Sequence, residues 1–230
     1  MADKFVQIFE DMGVEAYDGF NSNFKSLSKN MHILTMLTLQ DIPSDAKILC
    51  VGVGTGADII ELAKINKGWT FTGIDPAKTM LDGCKEKIKK EGLSERCDFF
   101  HGYLSDFQSD QKYDAAFCFF VLHFINTKGR KEIYSDVNTY LKSKGHFVHA
   151  EISFDQNSED YPLLLNHWKS LHRHGGATEE KLDNLDTVLR EQLSILSPSE
   201  TKKLILECDF KDPVQFFQSF LIRAWHSRKN

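Results

Sequence analysis

The feature that most restricts the fold is a loop with glycine at alternate positions, Gly52-Val53-Gly54-Thr55-Gly56, set between an apolar run at 47–52 and a helix-period segment at 57–65. Glycines so spaced permit positive φ and let a ligand come close to the backbone at the start of a helix. The strand–loop–helix unit then repeats. A second strand is predicted at 70–75 and a helix at 77–91, amphipathic through Met80, Leu81, Cys84 and Ile88. Strands follow at 96–101 and 113–120, the latter apolar along most of its length, as strands covered on both faces are. A helix at 128–141, a Lys-Ser-Lys-Gly turn at 142–145 and a strand at 146–152 complete the series. Alternation of this kind implies an open, doubly wound α/β fold with right-handed crossovers, whose ligands sit beyond the carboxyl ends of the strands.

The last third reads differently. A helix is predicted at 161–174, stopped by Gly175-Gly176, and another at 178–192 with Thr178 as its N-cap. Ser197-Pro198-Ser199-Glu200 is a capping box with proline in the first turn, which predicts a helix to about Glu207. Residues 214–217 and 220–225 are strand-like and close the sheet as a final pair. The expectation is one domain over 1–230, built on a mostly parallel seven-stranded sheet with helices on both faces and an antiparallel C-terminal strand. Helices are expected within 1–40, and a helical insert at about 155–196 is expected to cover the active site.

Composition narrows the function. The net charge of −5 argues against a nucleic-acid partner, which would need clustered Lys and Arg, though it leaves tRNA open. No stretch reaches about 20 apolar residues and Met1-Ala2-Asp3-Lys4 begins no apolar leader, so no membrane partner and a cytoplasmic location are expected. Five widely spaced cysteines with no C-x-x-C pair fit reduced thiols, and neither a metal site nor a catalytic thiol is expected. A small-molecule substrate remains, and a homodimer is left open.

Asp75 ends the second strand 19 residues after Gly56. An acid there can accept hydrogen bonds from both ribose hydroxyls of an adenosine-containing ligand. The dinucleotide fingerprint G-x-G-x-x-G would put its third glycine at position 57, where this chain has Ala57. A loop shortened by one residue suits a cofactor without phosphates and favours S-adenosylmethionine over NAD, although an NAD-binding oxidoreductase stays as an alternative.

On these residues the chain resembles the class I S-adenosylmethionine-dependent methyltransferases. The segment Ile48 to Gly56 is similar to their motif I, Phe71-Thr72-Gly73-Ile74-Asp75-Pro76 with Met80-Leu81 to motif II, and Phe100 to Leu104 to the segment lining the adenine. Tyr113-Asp114-Ala115-Ala116 and Val121-Leu122-His123-Phe124 resemble motif IV and the turn after it. At a lower level the chain is similar to carboxy-S-adenosylmethionine synthases, enzymes of wobble-uridine modification.

The resemblance implies S-adenosylmethionine as cofactor, with Gly52, Val53, Gly54 and Gly56 along its methionine and ribose and Asp75 on the ribose hydroxyls. It also implies Pro76 and Met80 beside the adenine, Tyr103 and Leu104 over its edge, and Phe119 below the sulfonium. Tyr17 and Phe24 are aromatics able to fold over the site or to pack in the core. The chain departs from the family at Cys50, where an acid often stands, and at Tyr103, where an aspartate commonly meets the adenine amine. No arginine aligns with the one that grips the extra carboxylate in the synthases, so an ordinary methyl donor is favoured.

Methyl transfer chiefly requires alignment of the nucleophile and exclusion of water, and a general base is needed only for some acceptors. His123, after the fourth strand, is the candidate base, with a packing role as the competing reading. His167, Trp168 and Arg223 are candidate substrate contacts. The histidines near 167 lack the i, i+4 pairing that a metal would want, and Arg223 lies in an apolar run where a charge needs a partner.

Overall fold

The computed structural model describes the backbone of residues 2–230 and the side chains from Lys4 onward; Met1, first residue of the expected 1–40 segment, lies outside the described residues. Two helices lead, α1 (Ala2–Ser22) and α2 (Lys25–Thr38), and α1 is broken at Gly13 (φ 73°, ψ 165°), a backbone conformation open only to glycine. The doubly wound part is β1 (Lys47–Val51), α3 (Ala57–Ile65), β2 (Thr70–Asp75), α4 (Lys78–Lys90), β3 (Cys97–His101), β4 (Tyr113–Phe119), α5 (Thr127–Tyr140) and β5 (Leu141–Ile152). The strand order is β3-β2-β1-β4-β5-β7-β6, with β1 to β5 parallel. β7 (Ile222–Lys229) runs antiparallel to both β5 and β6 (Phe210–Ser219), so it alone opposes the other six.

The core divides by face. Side chains of α2, α3 and α4, such as Met31, Ile59, Leu62, Leu81 and Cys84, pack on one side of the sheet with Ile48, Cys50 and Phe71. Tyr134 and Val137 of α5 pack on the other with Leu204 and Ile205 of α9 (Pro198–Glu207), over Leu49, Phe147 and Trp225. Between these faces β4 is buried from end to end, as its unbroken apolar run requires. A third cluster joins Tyr161 and Trp168 of α6 (Tyr161–His174) to Phe154, Leu189, Leu221 and Ile222.

Three boundaries differ from the sequence reading. β5 starts at Leu141 rather than 146, because the 142–145 turn is absorbed as an irregularity in the strand, with Lys144 at φ 61° and a register shift between Tyr113 and Ala115. The helix expected at 178–192 is broken into α7 (Glu179–Asp183), α8 (Leu185–Thr187) and a π-helical turn at Val188–Gln192, and Thr178 makes no side-chain cap bond. In the final strand pair β6 extends beyond 214–217 in both directions, whereas β7 begins at Ile222 rather than 220 and runs on to Lys229. By contrast the capping box closes as predicted: Glu200 N–H donates to Ser197 Oγ at 3.3 Å, and Ser197 N–H donates to Glu200 Oε2 at 2.8 Å.

Candidate functional site

Beyond the carboxyl ends of β1, β2 and β4 lies a cavity of about 260 Å³. The turn after β1 shapes its floor. Gly52 sits at φ 70°, and a Cβ there would stand 2.2 Å from Val121 Cγ2, so the two loops meet only because this residue has no side chain. Gly54 N–H then donates to Asp75 Oδ2 at 2.7 Å, and Ala77 N–H donates to Asp75 Oδ1 at 2.8 Å. Two backbone donors thus fix the carboxylate of Asp75 at the cavity wall. Burial raises its pKa above the ordinary carboxylate value, while those two hydrogen bonds oppose the shift.

Gly52, Gly54, Asp75, Pro76, Met80, Tyr103, Leu104, Phe119 and Tyr17 all line this one cavity. Tyr17 reaches it from α1, and its phenol oxygen comes within 3.6 Å of where a Cβ of Gly54 would be. Burial, reinforced by the nearby Asp58 carboxylate, pushes the Tyr17 hydroxyl up to about 12, so it stays protonated and is available as a donor.

The remaining expected site residues lie elsewhere. Val53 turns its side chain into the core, and its N–H is bonded to Ile74 O at 3.1 Å. Gly56 is the left-handed N-cap of α3 (φ 80°), where a Cβ would meet Cys84 Sγ at 2.5 Å; it sets the packing of α3 against α4. His123 is not among the lining residues. Its Nδ1 accepts the Ile152 N–H at 3.3 Å and its carbonyl accepts the Ser194 N–H at 2.8 Å. Burial lowers its pKa to about 3, so it is a neutral buttress behind the lining residue Phe124, whose ring centroid is 4.3 Å away.

His167, Trp168 and Arg223 are also absent from the lining. His167 lies against Phe220, with ring centroids 5.5 Å apart, and Trp168 is buried beside His172 and Phe24. Arg223 is buried in β7 and donates through Nη1 to the Ser153 carbonyl. The common reason is that 155–196 packs on the start of β7 and Phe154 as a separate cluster. Among the described residues none from that insert lines the cavity, so the expected cover is corrected to α1, which contributes Phe5, Val6 and Phe9.

Those α1 side chains were missed, though Phe5 and Phe9 share one helix face at i and i+4 and so carried a signal. Phe124 joins them, 4.7 Å from Phe5 and 5.4 Å from Phe9 between centroids. Phe120 also lines the cavity, at φ 59°, strained for a residue with a side chain. The ionisable lining residues other than tyrosine are Asp75, Glu132 and Asp136; no Lys, Arg or His lines the cavity among the described residues.

The helix that follows the glycine loop is already surrounded by acids. Thr55 Oγ1 donates to Asp18 Oδ1 at 2.8 Å, Lys87 holds the other oxygen of Asp18, and Asp58 lies in the first turn of α3. Asp58 Oδ1 is 2.5 Å from His32 Nε2. Burial disfavours a charge on His32, but its Asp58 partner outweighs that and raises the imidazole pKa.

Residues 48–145 match the family described as Methyltransferase domain. The chain is 28% identical to carboxy-S-adenosyl-L-methionine synthase of Campylobacter lari over 204 residues, which are 89% of this chain and 83% of that protein. It is 21% identical to the synthase of Nautilia profundicola over 211 residues, 91% of this chain and 86% of that protein. Among solved structures it superposes on human N-acetylserotonin methyltransferase in complex with SAM with TM-score 0.65 at 16% identity, covering 100% of this chain and 57% of that one. Mitomycin 7-O-methyltransferase MmcR gives TM-score 0.68 at 15% identity, covering 98% of this chain and 60% of that one. This chain therefore spans about three fifths of the length of either solved neighbour. Residues 48–145 thus match the methyltransferase-domain family, and the chain shares the fold of these two solved methyltransferases.

Proposed function

We propose that the cavity binds S-adenosylmethionine and that the enzyme transfers its methyl group to a small-molecule acceptor. The observation that carries this reading is Asp75, fixed by Gly54 and Ala77 at the wall of a cavity whose ionisable residues include no Lys, Arg or His among those described. Adenosine supplies two ribose hydroxyls for that carboxylate, and a sulfonium and an ammonium suit walls that hold only acids. A dinucleotide fits less well. Its pyrophosphate would want the N-terminus of α3, where Asp18 and Asp58 stand.

The same charge pattern bears on the carboxylated donor of the synthase relatives. An extra carboxylate buried without a cationic partner is costly, so the ordinary donor is preferred. The acceptor meets aromatic walls from Phe5, Phe9, Phe120 and Phe124, and the lining offers no histidine as base. Gly54, Asp75 and Tyr17 bind and orient the donor; α1 and the turn after β4 exclude water, leaving an acceptor that needs no histidine to deprotonate it.

We read the enzyme as cytoplasmic: the five cysteines are all unpaired, and among the described residues no helix is long and apolar enough to cross a membrane. The proposed substrate is a small molecule rather than tRNA, because the cavity presents acids. Calorimetric titration with S-adenosylmethionine, its carboxylated analogue and NADH tests the reading. The first is expected to bind at least roughly tenfold more tightly than either other ligand, a difference of about 1.4 kcal/mol. Tighter binding of the carboxylated analogue, or of NADH, sinks it.

A further inference from the structure

The cavity is roofed by α1, and the two halves of that helix are held in different ways. The half after Gly13 is anchored. Val14 packs so closely on Gly83 of α4 that a Cβ there would come within 2.4 Å of Val14 Cγ2, and Asp18 is tied to Thr55 and Lys87. The half before Gly13 carries the roof residues Phe5, Val6 and Phe9. Besides those apolar contacts, among the described residues Glu10 ties it to the body by hydrogen bonds. That carboxylate accepts the backbone N–H groups of Lys78 and Thr79 and the Thr79 hydroxyl.

These are the free amides of the first turn of α4, whose N-cap residue Ala77 offers no side-chain acceptor. Glu10 therefore caps α4 from a distant part of the chain. The adjoining amide, that of Ala77, is one of the two that fix Asp75. Between the two halves Gly13 has the glycine-only conformation and open space around the position a Cβ would take.

We infer that residues 2–12 form a lid over the cavity, hinged at Gly13 and latched by Glu10 on the N-terminus of α4. The inference rests on the reading of the cavity as the cofactor site. Entry and release of the cofactor then require the Glu10 latch to break. Because neither Glu10 nor Thr79 lines the cavity, a bound ligand has no direct contact with the latch, so weakening it speeds both steps and leaves affinity almost unchanged. Glu10 is a positioning residue.

Stopped-flow binding of S-adenosylhomocysteine to the full chain and to two variants tests this. Glu10→Gln, which removes the charge from the latch, is expected to raise association and dissociation rates together by roughly tenfold, with Kd held within about twofold. Thr79→Val, which removes only the hydroxyl donor, is the milder variant and is expected to raise both by about threefold. Rates that stay unchanged while the melting temperature falls would show a purely structural cap and overturn the lid. So would a rise confined to dissociation. Amide exchange of the ligand-free protein provides a separate arm. Residues 5–12 are expected to exchange faster than α4 and to accelerate in Glu10→Gln, and equal protection overturns the lid. A wild-type chain that binds no S-adenosylhomocysteine counts against the cofactor reading, and the exchange arm still decides the lid.

Discussion

Asp75 Oδ2 accepts the backbone N–H of Gly54 at 2.7 Å, so the acid that ends β2 is oriented by the loop that ends β1. The two motifs separated in sequence form one unit, whose second clamp is the N–H of Ala77. Asp75→Asn puts an amide NH₂ against one of these donors. It is expected to weaken S-adenosylhomocysteine binding by tenfold or more and to cost about 1–3 kcal/mol of stability. Calorimetry and urea unfolding read the two effects.

Gly56 has a different task from its neighbours in the loop. Gly56→Ala places a side chain at φ 80° and against Cys84 Sγ, and is expected to destabilise the fold by about 1–3 kcal/mol. Cys84→Ala in the same chain removes the clash but not the backbone strain. Part of the loss, and only part, is therefore recovered in a double-mutant cycle.

His123 gives a pH dependence whose sign follows from its burial. Its folded-state pKa is lowered to about 3, below that of the unfolded chain. The unfolded form takes up the proton first, so the contribution is full above the ordinary histidine pKa and is lost as pH falls toward 3. At pH 5 this amounts to roughly 2 kcal/mol. The slope of unfolding free energy between pH 5 and about 6.5 should flatten in His123→Leu, against a reference chain carrying histidine. Affinity for S-adenosylhomocysteine should change by less than about threefold, the variant having lost no cavity-lining group.

Arg130 and Glu151 form a fully buried pair at 2.6 Å that ties α5 to β5. Arg130 Nε also donates to the Ile125 carbonyl at 2.9 Å, and Nη2 donates to the Ser194 carbonyl, so one guanidinium fastens the turn beside the cavity to the end of the insert. Arg130→Met strands a buried carboxylate and is expected to cost about 3–5 kcal/mol. Adding Glu151→Leu should recover much of that loss in chemical denaturation, since neither charge is then left alone.

The positions of the parallel strands along the chain were legible best where an apolar run is bounded by glycine, proline or an acid, as at Gly52 and at Asp75-Pro76. The cavity lining that we propose holds the cofactor was legible in the same places, because a strand's carboxyl end fixes where its next residue stands. Gly52, Gly54, Asp75, Met80 and Tyr103 meet at one cavity for that reason. What closes the cavity was not legible. Whether α1 or the 155–196 insert roofs it depends on which apolar face finds which neighbour, and Trp168 and Phe5 are alike aromatic residues on amphipathic helices. Of the two readings of His123 the structure supports packing over the candidate base: the short helical turn at Leu122–Phe124 faces the imidazole toward β5 and leaves Phe124 facing the cavity.

The central claim is that Asp75 holds the ribose of S-adenosylmethionine, and a comparison of S-adenosylhomocysteine with its 2′,3′-dideoxy analogue tests it most directly. Wild-type protein is expected to prefer the hydroxylated ligand by roughly 30-fold or more, about 2 kcal/mol, and Asp75→Ala to bind the two within about threefold of each other. A preference that survives intact in Asp75→Ala would contradict the account, because the ribose would then be held by some other group.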